Sequence, residues 1–577
     1  MSGQKRLSLV KGPLEPALPS WTMGQLLSRQ ATRYPSHLAA VSYNARSRVS
    51  YTYEQLNEKT ATIAHALIAR GVKRGDRIGF FIFNGEGFLE IYLAVVRIGA
   101  VAVLFHNLFA PTECVRAASS TGCSILFTST RIGERDTSSC LVALHSMSES
   151  DGSSLKDIVL LRQTDDDHSL SLGDRFHTYD DYIHGSTDQV SLSAFQEIES
   201  NVSVEDVCIF HFTSGTTGNP KIAMLTHRNI IGNGFLTGNH VGLTDQDVLC
   251  TALGLYNSGG IMISLMSCLT HASTFVIPSP AFNAGDLIHS LTQEACTAYM
   301  GTPTTWIRML ERYHEEQGQP GWINLHKGII GGSTVTPGLV ARLKREFGVP
   351  HLAVAYGMTE TAPLSFISPM DDQERLDLSL WQILPHTSAK IVDATGQLVP
   401  RGDPGELCIA GYLLQKGYYG DPEKTRDAMR QDDAGTTWML TGDEAVIDEQ
   451  GLCRVTGRIK EMVKVGGETI HPGEIESRLS EHPAVLHACV APLHDARMGE
   501  VVSAFLESIP DLLDRPSVAE LQNWVRQTLA AHKVPSWIFW VGDEGSLAEL
   551  PLTASGKVKK HELTALGSKL VAGNLPN

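Results

Sequence analysis

Thr213-Ser214-Gly215-Thr216-Thr217-Gly218-Asn219-Pro220-Lys221 is the stretch on which the reading of this chain turns. The apolar run from Val207 to Phe212 leads into it and predicts a buried strand. Thr226 follows as an N-cap for a helix that opens His227-Arg228-Asn229-Ile230-Ile231. A strand, a Gly/Ser/Thr loop and a helix form an arrangement suited to holding phosphate. Glycines let main-chain N–H groups approach an anion, hydroxyls add donors, and a lysine adds charge. The order is not that of a Walker A loop, which places Gly-Lys-Ser/Thr together. Here Asn219-Pro220 precede the lysine and Ile222 follows it.

The chain around this stretch has 577 residues, more than one hydrophobic core organises, so at least two domains are expected. Its formal charge is −16, from 47 basic and 63 acidic residues. That balance argues against general nucleic-acid binding and against an anionic membrane surface. A bound nucleotide therefore needs a locally basic site. The 10 cysteines show no C-x-x-C pair and no zinc-like spacing, so they read as reduced thiols of a cytoplasmic protein. The most apolar windows, near 91–105 and 261–269, are too short or too interrupted to span a bilayer. Ser568-Lys569-Leu570 matches a peroxisomal tripeptide, but lies inside the chain where such a signal is silent.

Upstream, a helical pattern opens at Tyr51 and runs through Ile63 and Leu67. A strand at Ile78–Phe83, a helix at Phe88–Ile98 and a strand at Val101–Phe105 follow. Helices alternating with apolar strands imply a parallel sheet covered on both faces. Residues 146–203 are Ser/Asp-rich and read as solvated excursion loops with short elements. Downstream, strands lead into Gly331-Gly332-Ser333 and into Tyr356-Gly357-Met358-Thr359-Glu360. A hairpin spans Ala445–Val455, turning at Asp448-Glu449-Gln450-Gly451. A domain boundary is placed at 459–461, which separates residues 1–458 from 462–577. The C-terminal part has predicted helices at Pro472–His482 and Val518–His532 and a strand at Leu486–Ala491. Those elements suffice for a small domain.

Five motifs occur in one order along nearly the whole chain: 213–221, Tyr356–Glu360, Thr441–Asp443, Gly457–Lys464 and Ser555–Lys557. Together they resemble the adenylate-forming superfamily of acyl-CoA synthetases, peptide-synthetase adenylation domains and beetle luciferases. The visible departure in the loop is Ile222, where that family usually has Gly. The resemblance implies an α/β fold, with a large N-terminal adenylate-forming domain of several subdomains and a small, hinged α+β C-terminal domain. It implies ATP and Mg²⁺, with coenzyme A as cosubstrate, and two half-reactions. A carboxylate first forms an acyl-adenylate with loss of pyrophosphate, and the acyl group then passes to coenzyme A.

The same resemblance assigns residues. Thr213, Ser214, Gly215, Thr216, Thr217, Gly218 and Lys221 would hold the ATP phosphates. Tyr356 would face adenine, with Gly332 and Ser333 on the other side, and Thr359 would donate to the α-phosphate. Glu360 is a hard oxygen ligand suited to Mg²⁺, although a lone Glu is usually a solvated surface residue. Asp443, acceptor-only when ionised, suits the ribose hydroxyls, with Arg458 beside it. Lys557 would bridge carboxylate and α-phosphate in the first half-reaction. Rotation about Lys460 would then present Lys464 and the Gly466-Gly467 strand to the pantetheine arm.

The acyl pocket would take Tyr256, Asn257, Gly260, Thr302 and Met358. An amino-acid substrate needs an acidic partner for its ammonium group. Tyr256-Asn257 stand where adenylation domains place that Asp, and no carrier-protein domain follows Lys557. Gly259-Gly260 beside Ile261 and Met262 suggest an open apolar tunnel, so a medium-chain fatty or polyketide-type acid is favoured over an aryl acid. Asn257 replaces the His common in fatty and aryl acid ligases. The alternative is a stand-alone adenylating enzyme that loads a carrier protein, in which case a carrier protein or biosynthetic partner enzyme would be the acceptor.

Overall fold

The computed structural model describes residues 6–44, 47–147, 154–161, 174–185, 190–213, 220–318, 322–333, 335, 337–369, 381–466, 468–509, 514–543, 546–552 and 558–574. The chain divides into two compact units. One comprises Val10–Ala389 with Ile409–Met439, and the other Met1–Leu9, Lys390–Cys408 and Leu440–Asn577.

Two sheets organise the larger unit. The seven-stranded sheet runs Phe176–Thr178, Asp157–Leu161, Ile125–Ser129, Arg77–Phe81, Val101–Leu104, Val207–Thr213, Lys221–Thr226. Its strands are parallel except at the last pair. The nine-stranded sheet has a parallel centre, from His351–Gly357 through Lys327–Gly331, Ala298–Gly301, Val248–Thr251 and Thr274–Ile277 to Leu38–Asn44. Antiparallel strands close both of its edges. Helices Tyr53–Ala69, Glu86–Arg97 and His227–His240 bury their apolar faces in the core that joins these sheets. Parallel strands buried on both faces need such near-continuous apolar runs, which Ile78–Phe83 and Val101–Phe105 supply.

The reading of 146–203 as solvated loops is corrected. Asp157–Leu161 pairs in parallel with Ile125–Ser129, and Ile158, Val159 and Tyr182 are fully buried. The apolar run 158–161 is short and its Ser/Asp flanks masked it. Residues 148–153, 162–173 and 186–189 lie outside the described ones.

In the smaller unit, a five-stranded sheet orders Glu468–Ile470, Val463–Val465, Gly499–Ser508, Val485–Asp495, with Trp537–Trp540 parallel to Gly499–Ser508. Helices Pro472–Ser480 and Val518–Arg526 pack on it through Ile475, Leu479, Leu521 and Val525. The helix predicted to reach His532 stops at Arg526. Ala530 is extended, and a short 3-10 turn, Ala531–Lys533, follows. Leu529 and Val534 turn back onto the core there, so packing ends the helix before its pattern does. The predicted hairpin is present, with Thr437–Ile447 antiparallel to Cys453–Arg458. Residues Ile459–Glu461 form a single exposed 3-10 turn after it.

Candidate active site

Strands Val207–Thr213 and Lys221–Thr226 run antiparallel, with Thr213 opposite Lys221 and Phe212 opposite Ile222. Ser214, Gly215, Thr216, Thr217 and Gly218 lie outside the described residues. The expected order of strand, loop and helix is corrected here. Lys221 opens a second strand, and helix His227–His240 starts only after it. Thr226 Oγ1 accepts from Asn229 N as the predicted cap. The macrodipole of that helix therefore acts at Thr226 and not at Lys221, at the other end of the strand, since its influence fades within a turn. The strand also explains Ile222. This β-branched residue is buried in the ladder, and its carbonyl accepts from Tyr419 N at 2.8 Å.

Tyr418, which the motif reading missed, ties this strand to Glu360. Ala223 bridges Tyr418, and Gly417 O accepts from Met224 N, so 417–419 lies along Lys221–Thr226. Lys221 Nζ sits 4.6 Å from the centre of the Tyr418 ring. The Tyr418 hydroxyl donates to Glu360 Oε1 at 2.9 Å. Burial, then the adjacent Glu360 charge, pushes the Tyr418 phenol well up, so it stays a donor. Glu360 is buried in the one-turn helix Thr359–Thr361, and its carbonyl accepts from Gln415 N. Thr359 and Met358 are half-buried beside it, and Met358 N donates to Pro363 O at 3.0 Å.

Tyr356 ends strand His351–Gly357 and stacks on Trp381, with ring centres 5.5 Å apart and planes 12° apart. One ring face is thus taken by a residue that no motif had flagged. Gly332 and Ser333 are exposed after strand Lys327–Gly331. Gly332 has φ +89°, which only glycine adopts at little cost. Thr302 caps helix Pro303–Glu315 through Oγ1, and its Cγ2 lies 3.5 Å from where a Cβ on Gly332 would stand.

At Gly259-Gly260, where a tunnel is expected, the structure has a regular element. These residues begin a π-helix, Gly259–Leu265, in which Ile261 and Met262 are fully buried in the core. A Cβ on Gly260 would come within 2.4 Å of Gly254 O, so that glycine permits close backbone packing. Tyr256 and Asn257 precede this turn, half-buried. Burial raises the Tyr256 phenol to about 12, tempered by a hydrogen bond with the Asn257 side chain. The Tyr256 ring meets His106 edge-on at 4.5 Å.

Within the smaller unit, Asp443 is 4% exposed and pairs with Arg458 Nε at 3.0 Å across the hairpin, where the two residues are register partners. Its N–H donates to Thr441 Oγ1, whose hydroxyl donates to Leu407 O. Lys460 is exposed in the 3-10 turn. Lys464 is exposed on strand Val463–Val465, and its N–H donates to Glu500 Oε2. Gly466 turns the chain into Glu468–Ile470 with φ +59°. Gly467 and Lys557 lie outside the described residues. Just beyond the latter, Lys560 is anchored 2.7 Å from Glu476 Oε1 at the start of helix Lys560–Asn574. Burial is the largest influence and opposes its charge, but Glu476, Cys489 and Glu461 together outweigh it and raise the ammonium. Among the described residues, no cluster of three or more His, Cys, Asp or Glu could hold a metal, and no helix is long and apolar enough to cross a membrane.

Residues 27–419 match the AMP-binding enzyme family, and residues 474–557 match the AMP-binding enzyme C-terminal domain. The acyl-CoA ligase sidI of Aspergillus fumigatus is 38% identical over 574 residues, covering 99% of this chain and 95% of that protein. The mitochondrial medium-chain acyl-CoA ligase ACSF2 of Mus musculus is 30% identical, over 96% of this chain and 89% of its own. Among solved structures, the anthranilate CoA ligase AuaEII in complex with anthranoyl-AMP superposes with a TM-score of 0.81. It is 22% identical over 96% of this chain and 99% of that one, which shows the shared fold.

Proposed function

The chain belongs to the AMP-binding enzymes, as an AMP-forming acyl-CoA ligase of the adenylate-forming superfamily, and from that premise we propose that it activates an aliphatic carboxylic acid of medium-chain or polyketide type. Two features support this choice. No carboxylate stands at Tyr256-Asn257 to receive an amino-acid ammonium group. The relative ACSF2 is named for medium-chain acids.

The observation that carries the mechanism is the Lys221–Tyr418–Glu360 arrangement, which brings a cation and a buried carboxylate to one phenol. In this proposal the stretch 213–221 holds the ATP phosphates and Lys221 neutralises charge on them. Glu360 fits a hard cation: it is acceptor-only and buried, and Tyr418 holds one of its oxygens in place. Bound there, Mg²⁺ would supply charge neutralisation at the phosphates. Tyr356 orients adenine, and Asp443 accepts from the ribose hydroxyls, with Arg458 beside it as a donor. Thr359 donates to the α-phosphate.

A substrate carboxylate oxygen then bonds to the α-phosphorus as the bond to the β-phosphate oxygen breaks, releasing pyrophosphate. Lys557 steadies the charge that develops on the α-phosphoryl group. In the second half-reaction the coenzyme A sulfur bonds to the acyl carbon, the acyl–phosphate bond breaks, and AMP leaves with loss of the thiol proton. We assign the exposed turn Ile459–Glu461 as the hinge between half-reactions, with Lys460 at its centre. Lys464 and Gly466-Gly467 then border the coenzyme A arm.

Pyrophosphate release from MgATP over acetate, straight-chain acids to palmitate, benzoate, coumarate and amino acids tests this, with thioester product identified by mass spectrometry. Aliphatic acids should give release and a CoA thioester. Preferential turnover of aryl or amino acids would reject the substrate class.

A further inference from the structure

Strand His351–Gly357, which carries Tyr356, pairs with Leu364–Ile367, and that strand pairs with Gln382–Ile383. Trp381 stands immediately before Gln382. Two antiparallel steps across the sheet thus bring its indole back to the Tyr356 ring, where the centres lie 5.5 Å apart and the planes 12° apart. This is a stacked pair. Phe366, the register partner of Tyr356, meets the same ring at 6.2 Å with planes 55° apart, a tilted contact.

The indole is itself held from behind. Trp381 packs against the core that includes Leu352 and Val354 of the strand carrying Tyr356. Its Nε1–H is sealed from solvent and has no hydrogen-bond partner. A buried donor left unmade costs free energy, so this indole is placed for its rings and not for its polar group. Tyr356 is half-buried at the end of its strand. A phenol ring there turns about two side-chain bonds, and a base that stacks on it must stop that motion at a cost in entropy. A parallel indole at stacking distance stops it beforehand.

We propose that Trp381 is a positioning residue of the nucleotide site: it holds one face of the Tyr356 ring so that adenine stacks on the other. The layers then run Trp381, Tyr356, adenine. The inference rests on the reading that Tyr356 orients adenine, and adds to it a residue outside all five motifs.

Calorimetric titration with ATP and with tripolyphosphate, both in Mg²⁺, tests this. Tripolyphosphate has the phosphates and no base, and neither titration needs the acid substrate. Trp381→Leu keeps apolar volume and removes the rings. ATP affinity should fall about three- to tenfold, the size of ordering one such side chain, while tripolyphosphate stays within about twofold. Trp381→Phe keeps a stacking ring and should hold ATP within about twofold of the parent. In a Tyr356→Leu background, Trp381→Leu should cause no further loss of ATP affinity. Equal losses of both ligands in Trp381→Leu would mark a structural role and overturn the proposal. Tighter ATP binding would overturn it as well, by showing that the indole sits in the place of adenine. Unchanged ATP affinity in Trp381→Leu, beside a clear loss in Tyr356→Leu, would remove Trp381 from the site and leave Tyr356 standing. An unchanged ratio of ATP to tripolyphosphate affinity in Tyr356→Leu would overturn the reading of Tyr356 itself, and the proposal with it.

Discussion

Tyr418 donates its hydroxyl to Glu360 Oε1 at 2.9 Å, while the face of the same ring receives the Lys221 ammonium 4.6 Å away. A hydrogen bond to a buried charged group contributes roughly 1.5–3 kcal/mol, about a tenfold effect or more. Tyr418→Phe keeps the ring under Lys221 and removes only the donor. We expect acid-dependent pyrophosphate release to fall about tenfold in kcat/KM for MgATP, with a raised Mg²⁺ requirement. Rates measured across a magnesium titration check this. An unchanged magnesium profile would remove Glu360 from the proposed metal role.

Asp443 is nearly buried, and its side-chain ion pair with Arg458 spans 3.0 Å. If its carboxylate accepts the ribose hydroxyls, ATP should be favoured over 2′-deoxy-ATP, and Asp443→Ala should erase most of that preference. The loss on ATP should be about tenfold or greater, and the loss on 2′-deoxy-ATP smaller. Paired kinetics on the two nucleotides are the measurement. Equal losses would show that Asp443 serves the hairpin and not the nucleotide.

The sequence made the strand before 213–221, the hairpin at 445–455 and both C-terminal helix starts legible, because each has a strong local signal: an apolar run, a turn or a cap. It hid three kinds of feature. The buried strand Asp157–Leu161 was masked by polar flanks, and its burial comes from neighbours distant in sequence. The strand Lys221–Thr226 was overlooked because the Thr226 cap suggested a helix directly after the loop. Tyr418, Trp381, His106 and His211 gain their settings only through tertiary contacts: Tyr418 lies 58 residues from the carboxylate it bonds. Gly260 is ambiguous in sequence for the same reason, since a glycine pair permits a channel, close backbone packing or both. The packing against the neighbouring Gly254 carbonyl is visible only in the fold.

Two glycines in the candidate site should respond differently to alanine. Gly332 has φ +89° and only an ordinary contact at its Cβ position, 3.5 Å to Thr302 Cγ2, so Gly332→Ala carries a backbone penalty and no clash, about 1–2 kcal/mol. Gly357 meets the opposite constraint: a Cβ would stand 1.9 Å from Pro363 O. Gly357→Ala should therefore destabilise far more, by displacing the 357–363 turn that holds Thr359 and Glu360. Urea unfolding of both variants checks the order, and a smaller loss for Gly357→Ala would contradict it.

Acid should destabilise the larger unit through buried histidines. Burial lowers His211 and His227 to about 4 each, against about 6.5 for a free ring. Met23 N donates to His227 Nδ1, so that ring too is held neutral. As pH falls below about 6.5 the unfolded chain binds protons on these rings, and the folded chain does not until about pH 4. The unfolded state thus binds more protons throughout that window, and stability falls as pH drops across it; above it these rings contribute no slope. The expected loss is roughly 2 kcal/mol per ring between pH 7 and pH 5. His227→Gln keeps an acceptor for Met23 N but cannot titrate, so its loss over the same interval should be smaller by about that amount. Urea unfolding at the two pH values decides it. A variant whose acid sensitivity matches the parent would show that His227 is not among the groups that drive acid unfolding.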